Sequence, residues 1–311
     1  RRDRILAGLL VPFMSCGARL PVYVLMASVF FAGQQGTVVF ALYMAGILVA
    51  VAVGAILSRT LLRAPVRSRL DFAPPPLRRP RMRRVGTVVG RRTLEFAKNA
   101  GTMILAASMV VWLLLAIPVR GDAGFAAAEV GDSAFAGAAR LAAPLLDPLG
   151  AGTWEQAGAL AGGLVAKEVI VSTLAQVTGA GSPPAAEEAG GFGADLGGIG
   201  LGFLRASRDA ALAIPGIVGI HLGDGQSGEG RASLQASVQS LFDRSSGGHG
   251  ALAALAFLVF VLLYTPCTAT LATIRSQLGT KWMVVSAVGQ TAVAGLMATL
   301  VYRIGLLTGL G

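Results

Sequence analysis

P-F-M-S-C-G-A-R-L-P, Pro12 to Pro21, and Y-T-P-C-T-A-T, Tyr264 to Thr270, interrupt two otherwise apolar runs. Each holds one of the two cysteines in the chain, Cys16 and Cys267. Proline removes a backbone donor and clashes with the preceding turn, so each run is expected to be a helix broken in its middle. Hydrocarbon tolerates non-helical backbone only where protein buries it or where it lines a cavity. Broken membrane helices offer freed carbonyls and side chains to an ion or solute. The two interruptions are therefore the first places to look for a site.

Composition agrees with a membrane setting. Of 311 residues 54% are hydrophobic and only 14% charged, against about 25% charged in soluble domains. Mean hydropathy is +0.68. The 42 glycines suit membrane helices that approach closely through small residues. A net charge of +10 raises the question of nucleic acid. The arginines, however, gather in one inter-helix segment, so the charge reads as a topology signal, and no nucleic-acid partner is expected. Arg1-Arg2-Asp3-Arg4 before an apolar run mimics a signal peptide, but no A-x-A-type site follows it. The chain is expected to be the later part of something longer.

The fold class expected is all-α: a polytopic membrane bundle of about six passes, two of them broken. The first pass runs from Ile5 to Phe31, the second from Thr37 to Leu57 and the third from Ala100 to Ile117. The fourth runs from Ala157 to Thr178, the fifth from Ala251 to Ile274 and the sixth from Trp282 to Ile304. The unbroken runs approach the roughly 20 apolar residues a bilayer core needs. The chain thus divides into residues 1–58, the first broken segment and second pass, and 59–99, a basic loop. Residues 100–178 hold the third and fourth passes with an outward loop, 179–250 a long connection, and 251–311 the second broken segment and last pass.

Arg59 to Arg92 holds eleven arginines and one acid, Asp71. The positive-inside rule places it in the cytoplasm, and Pro74-Pro75-Pro76 and Pro80 make it extended rather than helical. Six full crossings would then leave both ends of the chain cytoplasmic. Val119 to Gln156 would face outward with a mild acidic bias, which either attracts cations or marks an ordinary solvated loop. Residues 179–250 read as flexible Gly/Ser-rich connection. Within them Ile199 to Ile220, interrupted by Arg205, Arg208 and Asp209, suits an interfacial helix better than a seventh crossing.

Thiolates are soft ligands that favour Fe(II), Zn(II) or Cu(I) over Mg(II) or Ca(II). Cys16 and Cys267 could face each other across a pore; the competing reading is two small buried hydrophobes. Met14 and Ser15 flank the first, and Thr268 and Thr270 the second, and hydroxyls and freed carbonyls can replace part of an ion's water shell. Pro12, Pro21 and Pro266 set the breaks. Arg19 is expected to be structural, capping freed carbonyls or reaching a headgroup. Lys167-Glu168 falls mid-way along the fourth pass, where charges persist only with a partner or a cavity. Glu168 could ligate a cation or carry a proton; alternatively the pair sits in water at the tip of a re-entrant segment. His221 and His249 read as surface residues. No G-x-x-x-x-G-K-[ST] motif occurs, so no nucleotide site is expected here, and no nucleophile–His–acid arrangement suggests an enzyme.

L-L-V-P-F-M-S-C-G-A-R-L-P-V-Y (Leu9 to Tyr23), A-K-E-V-I-V-S-T-L (Ala166 to Leu174) and L-L-Y-T-P-C-T-A-T-L-A-T-I-R (Leu262 to Arg275) together resemble the ferrous iron transport protein B (FeoB) family. The resemblance covers most of the chain. It implies a membrane permease portion for Fe(II) in the bacterial inner membrane, with the two proline–cysteine segments as gate regions. Cys16 and Cys267 would be transient ligands of the transported Fe(II), Met14, Ser15, Thr268 and Thr270 weaker ones, and Glu168 a compensating acid. It further implies coupling to a GTP-binding domain outside this chain, and admits small cytoplasmic Feo accessory proteins and a homo-oligomer as partners.

The sequence departs from the family where an E-L-P-x-Y-R-x-P stretch is usual in the cytoplasmic loop; here it reads A-P-P-P-L-R-R-P, Ala73 to Pro80. Two other functions use the same physics: a secondary transporter of an organic solute such as a nucleoside, and a membrane scaffold whose arginine loop binds lipid or protein.

Overall fold

The computed structural model describes residues 2–60, 81–119, 129–165, 167, 169–178 and 228–309. Among them the fold is helical, with a single isolated antiparallel bridge between Pro118 and Ser133. Proline sets the first interruption. Helix α1 (Arg2–Leu10) passes into a 3-10 turn, Val11–Phe13; the chain is extended at Met14 and Cys16, makes a second 3-10 turn, Gly17–Arg19, and resumes as α2 (Leu20–Phe30). Pro21 falls in the first turn of α2, where a missing N–H costs nothing. Helix α3 (Gln35–Arg59) follows, then α4 (Met82–Ala116), α5 (Ala134–Ala142), α6 (Trp154–Val165) and α7 (Val169–Val177). Helices α8 (Gly228–Ser245), α9 (Gly250–Leu263), α10 (Thr268–Leu278) and α11 (Thr280–Leu307) complete the chain.

Among the described residues four stretches are long and apolar enough to cross a membrane by length and composition: Ile5–Phe30, Gln35–Arg59, Gly250–Leu278 and Thr280–Leu307. The expected third pass lies in the C-terminal half of α4. The expected fourth pass does not exist as one helix. It is a hairpin of α6 and α7, of 12 and 9 residues, bent at Lys167. At 1.5 Å per residue, about 18 and 14 Å, neither arm spans a hydrocarbon core of about 30 Å. The count of six full crossings is corrected accordingly. Gly162 and Gly163 let the arms close: a Cβ on Gly163 would collide with Ile170 and the Tyr264 hydroxyl, and one on Gly162 would lie 2.7 Å from Thr173 Oγ1.

Three further expectations change. Residues 82–92 of the basic segment are helical within α4, since only the proline-rich stretch before them opposes a helix; residues 61–80 lie outside the described part. The outward segment is not a solvated loop. Its apolar residues fold into α5 and short 3-10 turns packed on α6, burying Phe135, Ala136 and Ala139, with the Ser133 hydroxyl accepting from Ala136 N–H as an N-cap. Residues 228–245 are no flexible connection but α8, with Val238, Leu241 and Phe242 buried; Ile199 to Ile220 and His221 lie outside the described residues.

The core sits around α9, in which eleven of fourteen residues are buried. Helix α11 meets it with a stripe of mostly small residues, Ser286, Gln290, Ala294, Ala298, Tyr302 and Gly305, all buried. Repeats of four residues hold such a stripe on one face, and small side chains let the backbones approach. On the other side Phe242 of α8 packs edge-to-face between Phe30 and Phe257, with ring centroids 5.7 and 5.3 Å away. Helices α10 and α11 are joined through Gly279 alone, at φ 97° and ψ 166°, a conformation essentially reserved for glycine. Outward faces of α3 and α11 are apolar and exposed, including Phe40, Leu48, Val51, Val288 and Leu296, as lipid contact requires.

Candidate functional site

Pro266 and the first-break prolines leave backbone without helical partners, and side chains take up the slack. In the second break the chain runs extended from Tyr264 to Cys267. The Thr265 hydroxyl donates to Ala287 O at 3.1 Å and also meets the Thr291 hydroxyl, fixing the break to α11. The Thr265 carbonyl accepts from Lys167 Nζ at 3.0 Å, and the same ammonium lies 3.3 Å from the centre of the Tyr264 ring. The Thr268 hydroxyl donates to Val165 O at 3.4 Å. The hairpin tip thus seats on the second break through a charge, a ring face and a hydroxyl.

In the first break Arg19 is 2% exposed and donates through Nη2 to Pro12 O at 3.3 Å. It caps a carbonyl that the break frees. Gly46 of α3 allows the close approach: a Cβ there would lie 3.2 Å from Leu262 and 3.4 Å from Phe13 O. Pro12 is buried, whereas Met14 and Cys16 are exposed and Pro21 is exposed at the start of α2.

The two breaks meet. Arg19, Cys16 and Cys267 all act electrostatically on Lys167, and Arg19 and Cys267 on Tyr264. Tyr23 lies beside Ser15, Arg19 and Cys16. The Ser15 and Tyr23 hydroxyls are both buried and lie against each other. The Cys267 thiol is half-buried and pairs with the Thr270 hydroxyl at 3.3 Å. Of the sequence-derived candidates, Cys16, Arg19, Lys167 and Cys267 therefore share one neighbourhood, with Ser15, Thr268 and Thr270 at its edges and the exposed Met14 turned out. Glu168 lies outside the described residues. Among those described, no three His, Cys, Asp or Glu side chains come together as a metal cage. His249, expected at the surface, is half-buried at the start of α9.

The charge of the site runs against a simple cation trap. Lys167 is 3% exposed and Arg19 2%, and groups of this kind persist so deep only with a partner or a cavity. Sequence reading gave Tyr23 and Tyr264 no role, although both stand in the quoted motifs. Two clefts flank α10. One, of about 490 Å³, is lined by Thr268, Leu271, Arg275 and Met283. The other, of about 800 Å³ and mostly apolar, reaches Tyr264, Thr265 and Leu271.

Comparison with known proteins gives the architecture a lineage. The family model described as "Gate: Nucleoside recognition" matches residues 97–281, more than half of the chain. "Fe(2+) transporter FeoB" of Legionella pneumophila (strain Lens) is 34% identical over 310 residues, covering 97% of this chain and 39% of that protein. "Fe(2+) transporter FeoB" of Staphylococcus aureus (strain MSSA476) is 29% identical over 305 residues, covering 98% of this chain and 37% of its own length. The chain thus spans under two-fifths of these curated relatives. No solved structure matches it. The chain belongs to the Gate (nucleoside recognition) family, whose model takes in the second proline break, and nearly all of it aligns with a portion of Fe(2+) transporter FeoB.

Proposed function

We propose that the chain is the membrane permease portion of a ferrous iron uptake transporter, moving Fe(II) into the cytoplasm past its two broken helices. The observation that carries this reading is similarity to Fe(2+) transporter FeoB over nearly the whole chain, including both proline–cysteine breaks. In this reading Cys16 and Cys267 bind Fe(II) in turn as soft ligands, with Ser15, Thr268, Thr270 and Met14 as weak oxygen or thioether donors. Glu168 balances charge close to Lys167. Few protein ligands at a time keep binding weak enough for release, as conduction demands. The protein resides in the bacterial inner membrane; the hairpin, whose arms are too short to cross, removes the even count that put both ends of this chain in the cytoplasm. It couples to a GTP-binding domain of the whole transporter, to small Feo accessory proteins and to further copies of itself.

Fe(II) uptake by the whole transporter, with Cys16→Ser, Cys267→Ser and Glu168→Gln made singly, is the decisive measurement. Each cysteine change is expected to cut uptake by about tenfold or more, the worth of one good ligand contact. Normal uptake in all three would overturn the site. Nucleoside uptake that is independent of metal and of both thiols would instead favour an organic solute, the reading suggested by the family's description. Loss of function on neutralising the arginines of residues 59–92, with the cysteine variants silent, would favour a scaffold.

A further inference from the structure

The larger of the two clefts beside α10, of about 800 Å³, has walls on α6 and α11. Small residues on both walls leave it open: Ala157 and Ala161 on α6, Ala292 and Gly295 on α11. A Cβ added at Gly295 would meet nothing within 4 Å. From Gly295 to Ala287 the α11 wall runs about 12 Å at 1.5 Å per residue. That is close to one leaflet of a bilayer core, about 15 Å of its roughly 30 Å. The cleft ends on Tyr264, Thr265 and Leu271 at the second break.

The lining selects what fills it. Only Tyr264, Thr265 and Thr291 bring a polar side chain to the cleft, and no lining residue is charged. All three hydroxyls are already engaged with backbone carbonyls. Tyr264 donates to Leu160 O at 3.5 Å, and Thr265 and Thr291 donate to Ala287 O at 3.1 and 2.9 Å. A polar solute needs a few convergent polar groups to fix it; hydrocarbon needs none. Val288 lines the cleft and also belongs to the exposed apolar face that α11 turns to lipid, and Leu145 on the lining is exposed as well. The cleft is thus continuous with the lipid-facing surface, where acyl chains are the solvent. Left empty, it would forfeit van der Waals contact along its walls. In a bilayer such contact, rather than a hydrophobic drive, holds apolar groups together.

We propose that the cleft between α6 and α11 binds one acyl chain of a membrane phospholipid, which enters past Val288 and Leu145 and seats its end against Tyr264 and Thr265. The bound chain completes the packing of the second break on its lipid side. The site does not depend on what the protein transports.

The test uses the whole transporter in lipid nanodiscs that contain a phosphatidylglycerol with a diazirine near the end of one acyl chain. After illumination, peptide mass spectrometry is expected to find lipid adducts on Leu160 to Leu164 and on Tyr264 to Leu271, besides general labelling of outward faces such as that of α3. Gly295→Leu and Ala161→Phe each place a side chain in the cleft, and neither position is buried, so the fold can accept them. Both are expected to cut adducts at the second break by about tenfold, because side chain and acyl chain exclude each other as in an overpacked core. Labelling of α3 stays unchanged. Gly289→Leu, also on α11 with open space around its Cβ but outside the cleft lining, is expected to leave both sets of adducts as they were. Adducts confined to the outward faces would overturn the proposal, whether a second copy or another part of the transporter covers the cleft. So would adducts at the second break that persist in both filling variants.

Discussion

Lys167 Nζ stands 3.0 Å from the carbonyl oxygen of Thr265, so the bend of one helical hairpin is bonded to the unwound backbone of another helix 98 residues away in sequence. Replacing Lys167 by Met removes this bond and the contact with the Tyr264 ring. Loss of a hydrogen bond to a charged group costs about 1.5–3 kcal/mol, but removing a buried ammonium relieves a desolvation cost of similar size. Lys167→Met is therefore expected to change thermal stability little while lowering uptake by about tenfold or more, because the hairpin no longer holds the break. Paired melting and uptake measurements check this; a large loss of stability would count against it.

Gly163 is the tightest point of the hairpin. Gly163→Ala drives a methyl into Ile170 and the Tyr264 hydroxyl, and overpacking of this kind costs about 1–3 kcal/mol. Gly137→Ala in α5 meets nothing within 4 Å and is expected to be neutral or slightly stabilising, since alanine favours a helix by up to about 1 kcal/mol over glycine. Denaturation of the two variants side by side tests the close approach.

Phe242 lies between Phe30 and Phe257 and is fully buried. Phe242→Ala is expected to destabilise the protein by about 3–5 kcal/mol through the cavity it leaves. Exposed Leu141→Ala, on the open face of α5, is expected to shift stability by under about 0.5 kcal/mol. Unfolding curves that fail to separate the two would argue that α8 is not packed as described.

Cys16 is exposed and Cys267 half-buried and engaged with Thr270. A small thiol reagent is therefore expected to label Cys16 before Cys267, with Thr270→Val speeding the second reaction by freeing the thiol. Peptide mass spectrometry after timed labelling reads the order. If Fe(II) visits both thiols, it slows both reactions.

The two breaks were legible because proline and an apolar run leave little alternative, and α3 and α11 because their apolar runs are long. The α6–α7 hairpin was legible only as the re-entrant alternative that Lys167-Glu168 raised, because Ala157 to Thr178 is apolar enough for one pass. What bends it is the tertiary seat of Lys167 on Thr265 and Tyr264, which no local pattern carries. Helix α8 could have been read. Leu234, Val238, Leu241 and Phe242 recur at helical spacing, although the serines and glycines around them have the composition of a linker. In the site, the cysteines and Arg19 were picked out from the motifs. The meeting of Ser15 with Tyr23 was not, since it depends on how the first break folds back on α2.

Helix α10 is a rod of 11 residues, about 16 Å long, with a joint at each end: the extended Tyr264–Cys267 segment on one side and Gly279 on the other. Clefts lie along two of its flanks. A rod so mounted can tilt as a lever without losing any of its own hydrogen bonds. The end that carries Cys267 would travel farthest, with Gly279 as fulcrum. Any residue with a Cβ in place of Gly279 would strain that joint and with it the seat of Cys267 at the rod's far end.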